Sequence, residues 1–334
     1  MITKLIGKVN STVKDLSPGA KTPEGYDIIG DVHGYAEELT ILLKQLGYKE
    51  INGVYIHDKR KAVFVGDFTC RGPETRRTIA IVRRMVENLT GYAVIGNHEL
   101  NVIGHFTKND EGKTFKPATG SNKKIMDRIK QEYLYEKDLL KDDLKWIRRL
   151  PFFLEFGAFR VTHAYWSDEN KRIIEEHIPK KKLTKKLLQK IFDHDNSFAE
   201  AVRQTTRGIE INLPHDLIIK DDRNIRRTNF RIRWWQDPKD KTFKEISYGN
   251  KFTLPTYTVP PEILFPFKVY PEKEVPVFVG HYCMSSDRMI PASNVCCVDN
   301  CVANEGSLAA YRWQNGRELK ITNFVFQEKK GSSF

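Results

Sequence analysis

The stretch GDFTCRGPETRRTIAIVRRMVENLTGYAVIGNHE, residues 66–99, decides the fold. An apolar run precedes it at residues 62–65, and a second apolar run occupies residues 92–95 near its end. The segment between the two runs has the apolar spacing of an amphipathic helix over residues 74–89. Its apolar positions are Ile79, Val82, Met85, Val86 and Leu89. The pattern predicts a β-α-β unit with polar residues at the carboxyl end of each strand, which is where open α/β sheets bind their ligands.

The same design of strand, glycine and polar residue occurs upstream, where residues 26–34 read YDIIGDVHG. Asp31 and His33 alternate across one residue, so an extended segment can point both side chains in one direction. Asp67 follows the second predicted strand, and Asn97 and His98 follow the third. A single Asp-x-His is more often a surface turn. Three such blocks, each after a predicted strand, indicate a site for a divalent metal with nitrogen and oxygen ligands.

Further elements are predicted along the rest of the chain. Residues 35–46 and most of 125–150 have helical patterns, and residues 151–166 read as a hairpin that turns at Gly157. His163 falls at the end of its second strand. Residues 167–275 are predicted to be a long excursion of helices and a β-hairpin. A buried strand over residues 275–280 then ends at His281, and three closing strands follow it.

Length and composition are those of a globular enzyme. The 334 residues can bury a full core, as one large α/β domain or two small ones. A net charge of +12, from 55 Lys and Arg against 43 Asp and Glu, favours anionic partners such as nucleotides, nucleic acid or acidic surfaces. No apolar run reaches 18 residues, and the first residues lack the apolar core of a signal peptide. We therefore expect a cytoplasmic protein with no membrane partner.

Two basic segments stand out. Residues 179–193 combine lysines with leucines at helical spacing, which predicts a surface helix packed on its leucines. Residues 223–233 alternate charged and apolar side chains and are followed by Trp234 and Trp235. This second segment is either an edge hairpin or a substrate lid rich in Arg and Trp.

The five cysteines are not spaced like a disulfide scaffold. Cys296, Cys297 and Cys301 lie close together and could suggest a zinc site. Their strand-like setting favours buried free thiols instead.

The series GDVHG, GDFTCRG and GNHE, followed by THA at residues 162–164 and GHY at 280–282, resembles the calcineurin-like metallophosphoesterases. It is most similar to the phosphoprotein phosphatase branch, which includes Ser/Thr protein phosphatases and bacterial symmetrical diadenosine tetraphosphatases. The resemblance implies an α/β (α+β) fold, a four-layer αββα sandwich of two mixed sheets flanked by helices. It implies one domain over residues 1–334, with an N-terminal arm at 1–25 and a helical and hairpin lid insertion at 167–275.

The resemblance also implies a centre of two divalent metal ions. Such a pair, about 3.5–4 Å apart, acidifies a shared water and neutralises the phosphoryl oxygens. Asp31 and His33 would hold one ion, and Asn97, His163 and His281 the other. Asp67 would bridge the two. Mn²⁺ is the expected metal, with Fe/Zn, Ni or Mg as alternatives.

Four further roles follow from the same resemblance. His98 would be the general acid that protonates the leaving oxygen. Arg71 would grip the phosphoryl oxygens with its fork of donors, beside Asn97. Glu99 would support the ligands from behind. The candidates for a second substrate arginine are Arg231 and Arg233, with Arg207 a weaker one.

One position departs from the pattern. The branch normally has GDxxDRG, whose second Asp pairs with the general-acid histidine, and here that position is Cys70. A thiol supplies no carboxylate to orient His98. The site would then use another carboxylate, run more slowly, or depend less on acid catalysis because its leaving group is good.

The expected function is dinuclear-metal-dependent hydrolysis of phosphate monoesters, as in Ser/Thr phosphatases. The alternative is a dinucleoside polyphosphate hydrolase or nucleic-acid-end phosphatase, and a catalytically weakened binding protein is a third reading. The expected partner is an anionic phosphorylated substrate, whether phosphoprotein, nucleotide or RNA end. All six expected metal ligands are present, which favours an enzyme.

Overall fold

The structure is a computed structural model that describes residues 23–193, 195–213, 217, 219–220, 226–249, 253–263 and 268–329. The predicted N-terminal arm lies outside the described residues except for its last three, and Gly25 begins the first strand. Residues 223–225 of the second basic segment also lie outside.

The secondary structure alternates strands and helices through the first third of the chain. The strands are β1 (Gly25–Ile29), β2 (Lys49–Ile51), β3 (Val54–Ile56), β4 (Arg60–Phe64), β5 (Gly91–Ala93), β6 (Phe153–Glu155), β7 (Arg160–Thr162), β8 (Glu210–Asn212), β9 (Ile219–Lys220), β10 (Arg226–Arg227), β11 (Asn229–Arg231), β12 (Val277–Val279), β13 (Val295–Cys297), β14 (Leu308–Trp313) and β15 (Phe324–Gln327). The helices are α1 (Ala36–Gln45), α2 (Thr75–Glu87), α3 (Asn97–Phe106), α4 (Gly120–Glu132), α5 (Lys137–Ile147), α6 (Asp168–His177), α7 (Lys185–Phe192), α8 (Ser197–Arg207) and α9 (Phe243–Ile246).

The first large sheet has the strand order β15-β14-β1-β4-β5. Its β1, β4 and β5 are parallel, whereas β14 runs antiparallel to β1 and to β15. The apolar runs of β1 and β4 are buried on both faces, as is usual for parallel strands covered on each side. The β4-α2-β5 unit is the one that residues 62–95 predict, and α1 and α2 pack against this sheet.

The second large sheet has the order β13-β12-β7-β6. The strands β7, β12 and β13 are parallel, and β6 forms the predicted hairpin with β7. Aromatic side chains join the two sheets: the Phe278 ring lies 5.1 Å from that of Tyr311, and Phe159 lies 5.2 Å from Trp313. The prediction of an α/β fold with two mixed sheets and flanking helices is confirmed.

Residues 167–275 contain α6 to α9 and the short strands β8 to β11, in two small antiparallel pairs. The basic segment forms α7, which buries Leu188 and Ile191, so the prediction of a surface helix packed on apolar side chains is confirmed. Asn196 caps the start of helix α8, where its side chain accepts a hydrogen bond from the amide of Ala199, and Gly208 follows the last residue of the helix with a φ of 77°. The use of this segment as a lid stays a prediction.

The prediction of a substrate lid rich in Arg and Trp is wrong for Trp234 and Trp235, because neither is exposed to a substrate. Trp234 and Trp235 are both buried. The indole nitrogen of Trp234 donates a hydrogen bond to the Tyr282 hydroxyl at 2.7 Å. Burying these large apolar rings stabilises the fold more than leaving them in solvent would, and both side chains belong to the core.

The carboxyl ends of β1, β4 and β5 in one sheet and of β7 and β12 in the other lead into the predicted ligand residues. A hydrogen bond links the two sheets there, because the amide of His281, after β12, donates to the carboxylate of Asp31, after β1, at 3.1 Å. None of the helices in the described part of the chain has the length and apolar character needed to cross a membrane.

Candidate metal centre

Asp67 lies at the middle of the cluster formed by these strand ends. Its Oδ2 is 3.3 Å from His163 Nε2 and 3.9 Å from His98 Nε2, and its Oδ1 accepts a hydrogen bond from the His98 amide at 2.8 Å. Two groups of possible metal ligands share this carboxylate. They are His33, Asp67 and His98, and Asp67, His163 and His281, and within each group the ligand atoms lie within 4.8 Å of one another.

The first group takes one residue from the end of each of the three parallel strands of the first sheet, His33 after β1, Asp67 after β4 and His98 after β5. His33 Nδ1 is 3.3 Å from the carbonyl of Thr69, which turns Nε2 toward Asp31 Oδ2 at 3.8 Å. A carbonyl partner on one ring nitrogen is the usual way to orient a metal-binding imidazole. The structure therefore brings Asp31 and His33 together as the sequence predicts, and it adds the His98 ring, whose centroid is 4.8 Å from that of His33.

The second group draws on both sheets. His163 Nδ1 is 2.8 Å from the carbonyl of Val65, so its Nε2 faces the cluster. The Asn97 side-chain oxygen lies 3.2 Å from His163 Nε2, and the same position is 3.0 Å from His281 Nδ1. An amide nitrogen there would donate hydrogen bonds, whereas an amide oxygen facing two imidazole nitrogens matches the ligands of a shared cation. The donor set thus fits a divalent metal.

Electrostatics at the cluster are dominated by burial and by the Asp67–His163 contact. Burial opposes charge on both groups, but their mutual attraction prevails: it raises the pKa of His163 to about 10 and holds the pKa of Asp67 well below its usual range. Burial and the nearby Asp299 raise the pKa of Asp31 well above its usual range. A bound cation would have to displace a proton from His163 and would relieve the repulsion among the buried carboxylates.

The loops that carry the ligands are held from behind by Glu99, which is fully buried. Its Oε2 accepts hydrogen bonds from the amides of Asp67 and Gly96, at 2.7 and 2.9 Å. Its Oε1 accepts from the amide and hydroxyl of Thr69, at 3.0 and 2.7 Å. Glu99 thus lies behind the candidate ligands and holds their loops, which is the position that the resemblance implies for it.

Several residues at the centre have left-handed backbone conformations. The φ angles are 50° at His33, 48° at Asp67, 71° at Cys70, 59° at Arg71 and 68° at His281. Residues other than glycine rarely adopt such angles, and they tend to do so at functional sites. Gly96 is required for a different reason, because a Cβ at that position would collide with the Asp67 carboxylate.

Basic side chains surround this cluster. Arg71 is exposed. Burial lowers the pKa of both His33 and His98, and the charge of Arg71 adds to this effect. The pKa of His98 falls to about 4 despite the attraction of Asp67. Arg207 ends α8 and is half-buried, and its charge acts on both Asp67 and His98. Arg207 was the weaker candidate for a second substrate arginine, because no pattern in the neighbouring sequence places the end of α8 at the cluster.

Arg231, in β11, and Arg233, two residues later, have different surroundings. The guanidinium of Arg231 lies 5.9 Å from the ring centroid of Tyr282, the residue after His281. Arg233 donates from Nε to the carbonyl of Ser247 at 2.9 Å, a contact within its own loop. Only Arg231 of these two therefore contacts a neighbour of a candidate metal ligand. The substrate-binding roles of both arginines remain predictions.

Cys70 is buried at the position where the resemblance expects an aspartate. Its Sγ lies 3.7 Å from the Thr69 hydroxyl and 4.0 Å from the carbonyl of His98, and burial raises the pKa of the thiol. Among the described residues no hydrogen bond reaches either ring nitrogen of His98, and the nearest carboxylate contact is that with Asp67. The carboxylate that Cys70 lacks is not replaced by another one at hydrogen-bond distance.

The prediction of buried free thiols is confirmed for Cys296 and Cys297 and is wrong for Cys301. Cys301 forms a disulfide with Cys283, across 18 residues of sequence, whereas Cys296 and Cys297 are buried free thiols of β13. Asp299 accepts hydrogen bonds from the amides of both disulfide partners, at 2.7 and 2.9 Å. Asp299 therefore holds the backbone on both sides of the disulfide.

Comparisons with known proteins agree with this geometry. A family model described as "Calcineurin-like phosphoesterase" matches residues 26–281. Over 142 residues the chain is 33% identical to the bis(5'-nucleosyl)-tetraphosphatase PrpE [asymmetrical] of Bacillus subtilis, a match that covers 42% of this chain and 57% of that protein. Over 73 residues it is 51% identical to the protein of the same name from Oceanobacillus iheyensis, covering 22% and 29%. The matches thus span less than two thirds of these relatives.

Among solved structures, a Ser/Thr protein phosphatase from Saccharomyces cerevisiae matches over 93% of this chain and 82% of its own. The sequence identity is 14% and the TM-score is 0.47.

Proposed function

The chain belongs to the calcineurin-like phosphoesterase family, and from this premise we propose that it hydrolyses phosphoester or phosphoanhydride bonds with two divalent metal ions. The ions would be held by Asp31, His33, Asp67, Asn97, His163 and His281. The observation that carries the proposal is that one carboxylate, Asp67, belongs to both groups of converging ligand atoms. A shared carboxylate is what a two-metal centre requires.

The bound ions would supply a water nucleophile at neutral pH and positive charge against the phosphoryl oxygens. The proposed ligand set combines three imidazoles, which suit Fe, Zn²⁺ or Ni²⁺, with two carboxylates and an amide oxygen, which suit Mn²⁺. Mg²⁺ fits less well, because it usually keeps several waters and takes few protein ligands. We therefore keep Mn²⁺ as the expected metal.

The protein's own side chains would do three things. Arg71 is exposed at the mouth of the cluster and would hold phosphoryl oxygens with paired donors. His98 lies beside Asp67 and would deliver a proton to the leaving oxygen. Glu99 would keep the Asp67 and Gly96 amides in place, and through them the carboxylate of Asp67.

Two substrate classes compete, phosphate monoesters and nucleoside polyphosphates. The surroundings of Cys70 favour the second, because no carboxylate is hydrogen-bonded to His98 and a nucleoside phosphate leaves readily without strong acid catalysis. The net charge of +12 and the relatives named as tetraphosphatases point the same way. We propose that phosphoanhydrides are turned over faster than alkyl monoesters.

The test is a substrate panel with Mn²⁺ and with a chelator. It includes p-nitrophenyl phosphate, phosphoserine and phosphotyrosine peptides, diadenosine tetraphosphate and 3′-phosphorylated RNA. Metal-dependent turnover that is highest with diadenosine tetraphosphate supports the proposal. Faster turnover of the phosphopeptides than of diadenosine tetraphosphate would contradict the proposal and indicate a protein phosphatase. No turnover of any substrate with metal bound would show a binding protein.

The substitution Cys70→Asp tests the same argument from the site. We expect it to raise kcat/KM for an alkyl phosphate by about tenfold relative to diadenosine tetraphosphate, because a carboxylate would orient His98 as an acid and only the poor leaving group needs one. Cys70→Asn is the control of equal size without charge, and it should leave that ratio as it is. Loss of metal binding in Cys70→Asp alone would mean that a third carboxylate beside Asp67 and Glu99 is not tolerated.

A further inference from the structure

A polar pocket opens beside the metal centre. It has a volume of about 170 Å³ and is formed by the antiparallel pair of β8 and β11, the strand β10 and the loop after α9. The residues that line it are Glu210, Arg227, Asn229, Phe230, Arg231, Tyr248 and Gly249. Ligand pockets for whole drug-sized molecules measure roughly 300–1,000 Å³, so this one fits only a part of a substrate.

One aromatic ring connects the pocket to the metal ligands. Tyr282 follows His281, and the centroids of their rings are 5.4 Å apart. On its other side the Tyr282 ring contacts two pocket residues, the guanidinium of Arg231 at 5.9 Å and the ring of Tyr248 at 5.6 Å. The pocket therefore lies one aromatic side chain away from the candidate metal ligands.

The pocket has unused capacity to bind an anion. Arg231 Nε is buried and has no hydrogen-bond acceptor among the described residues. The nearest carboxylate oxygen, Glu210 Oε1, is 3.6 Å from Arg231 Nη2, which is too long for a hydrogen bond. Glu210 also faces Arg203, at 3.5 Å, so its charge is divided between two arginines. A buried donor without an acceptor is costly, and an incoming anion would satisfy it.

We propose that this pocket binds a second phosphoryl group of the substrate, one that is not cleaved at the metals. Arginine forks match the geometry of phosphate oxygens, and the pocket presents two, from Arg231 and Arg227. The enzyme would then select chains of two or more phosphoryl groups over single phosphate esters. This inference rests on the proposed function, because it assigns a substrate class to the same centre.

The experiment compares two substrates in the metal-loaded 334-residue chain. One is p-nitrophenyl phosphate, with one phosphoryl group, and the other is diadenosine tetraphosphate. We expect Arg227→Ala to lower kcat/KM for the tetraphosphate about tenfold more than kcat/KM for p-nitrophenyl phosphate, since it removes a charge-assisted hydrogen bond to the second phosphoryl group. The matched control is Arg226→Ala, which removes the same charge from the exposed neighbour on β10 and should leave the ratio unchanged.

A second pair of variants guards against a folding defect. Asn229 is exposed at the edge of the pocket, so Asn229→Glu adds a negative charge without disturbing the core. It should raise KM for the tetraphosphate, whereas Asn229→Gln should not. If Arg227→Ala and Asn229→Glu change both substrates equally, or neither, the inference is wrong.

Failure of the proposed function would be visible separately, as a wild-type protein that turns over neither substrate. In that case binding of inorganic tripolyphosphate is measured by calorimetry on the metal-loaded protein. Tighter binding by the wild type than by Arg227→Ala would support the pocket assignment without catalysis. Equal affinity in the two proteins would overturn it. Chelation of free metal by the probe affects both proteins alike and cancels in the comparison.

Discussion

Asp67→Asn is expected to abolish turnover and to prevent loading of the metal pair. The carboxylate lies 3.3 Å from His163 Nε2 and belongs to both ligand groups, so an amide at this position removes a negative charge from each site. Loss of a partner that merely orients a metal ligand costs about 10–100-fold in affinity or activity. Loss of the shared ligand should therefore exceed about 100-fold in kcat/KM and lower the bound metal below two ions per chain.

The measurement pairs a turnover assay with metal analysis of the dialysed protein. The control is Asp143→Asn, which makes the same change at a buried aspartate that pairs with Arg83 away from the metal centre. That variant should lose stability but keep its metal content and its rate per folded molecule. Full activity in Asp67→Asn would remove Asp67 from the centre and, with it, the two-metal proposal.

The convergence of the candidate metal ligands was predictable because the signals are local. Each ligand follows a short apolar strand, and parallel strands present their carboxyl ends at one edge of a sheet. Asp31 and Asp67 follow adjacent strands of the first sheet, and His163 and His281 follow adjacent strands of the second. Periodicity identifies the strands, and the sandwich then brings the two edges together.

The backbone shape of the centre was not predictable in the same way. His33, Asp67 and His281 all have positive φ, although only glycine adopts such angles without strain. These angles are imposed by tertiary contacts, such as the hydrogen bond from the His33 amide to the Asp67 carbonyl at 2.8 Å. No property of the local residues encodes them.

Features that depend on packing between distant segments were missed or misread. The Cys283–Cys301 pairing requires two loops to meet, and spacing along the chain does not show it. The burial of Trp234 depends on the Tyr282 hydroxyl, 48 residues away, so the pair of tryptophans looked like an exposed feature. The pocket beside Arg231 likewise arises from strands that pair across the insertion.

Glu99→Gln should be the most damaging conservative change behind the centre. The carboxylate accepts four hydrogen bonds, two on each oxygen, and three of the donors are backbone amides. A glutamine has one oxygen and one NH₂ group, so in either orientation its NH₂ group faces a buried amide that cannot accept. One buried donor without a partner costs about 1–3 kcal/mol, and we expect the free energy of unfolding to fall by that amount.

The same substitution should also reduce catalysis, because the Asp67 amide and the Gly96 amide are both held by Glu99 Oε2. Displacement of these loops by the added donor moves the shared carboxylate, and we expect a loss of about 10–100-fold in kcat/KM. The measurements are chemical denaturation and turnover at pH 8, where Glu99 is ionised because burial and Asp67 raise its pKa only to about 7.

Thr69→Val is the matched control, since it removes only the hydroxyl among the four donors and leaves every backbone amide satisfied. It should cost about 1 kcal/mol of stability and change kcat/KM far less than Glu99→Gln does. If instead Glu99→Gln matches the wild type in stability and turnover, the loops that carry Asp67 and Asn97 are positioned by their own packing. The hydrogen bonds of Glu99 would then follow from the centre's geometry and would not cause it.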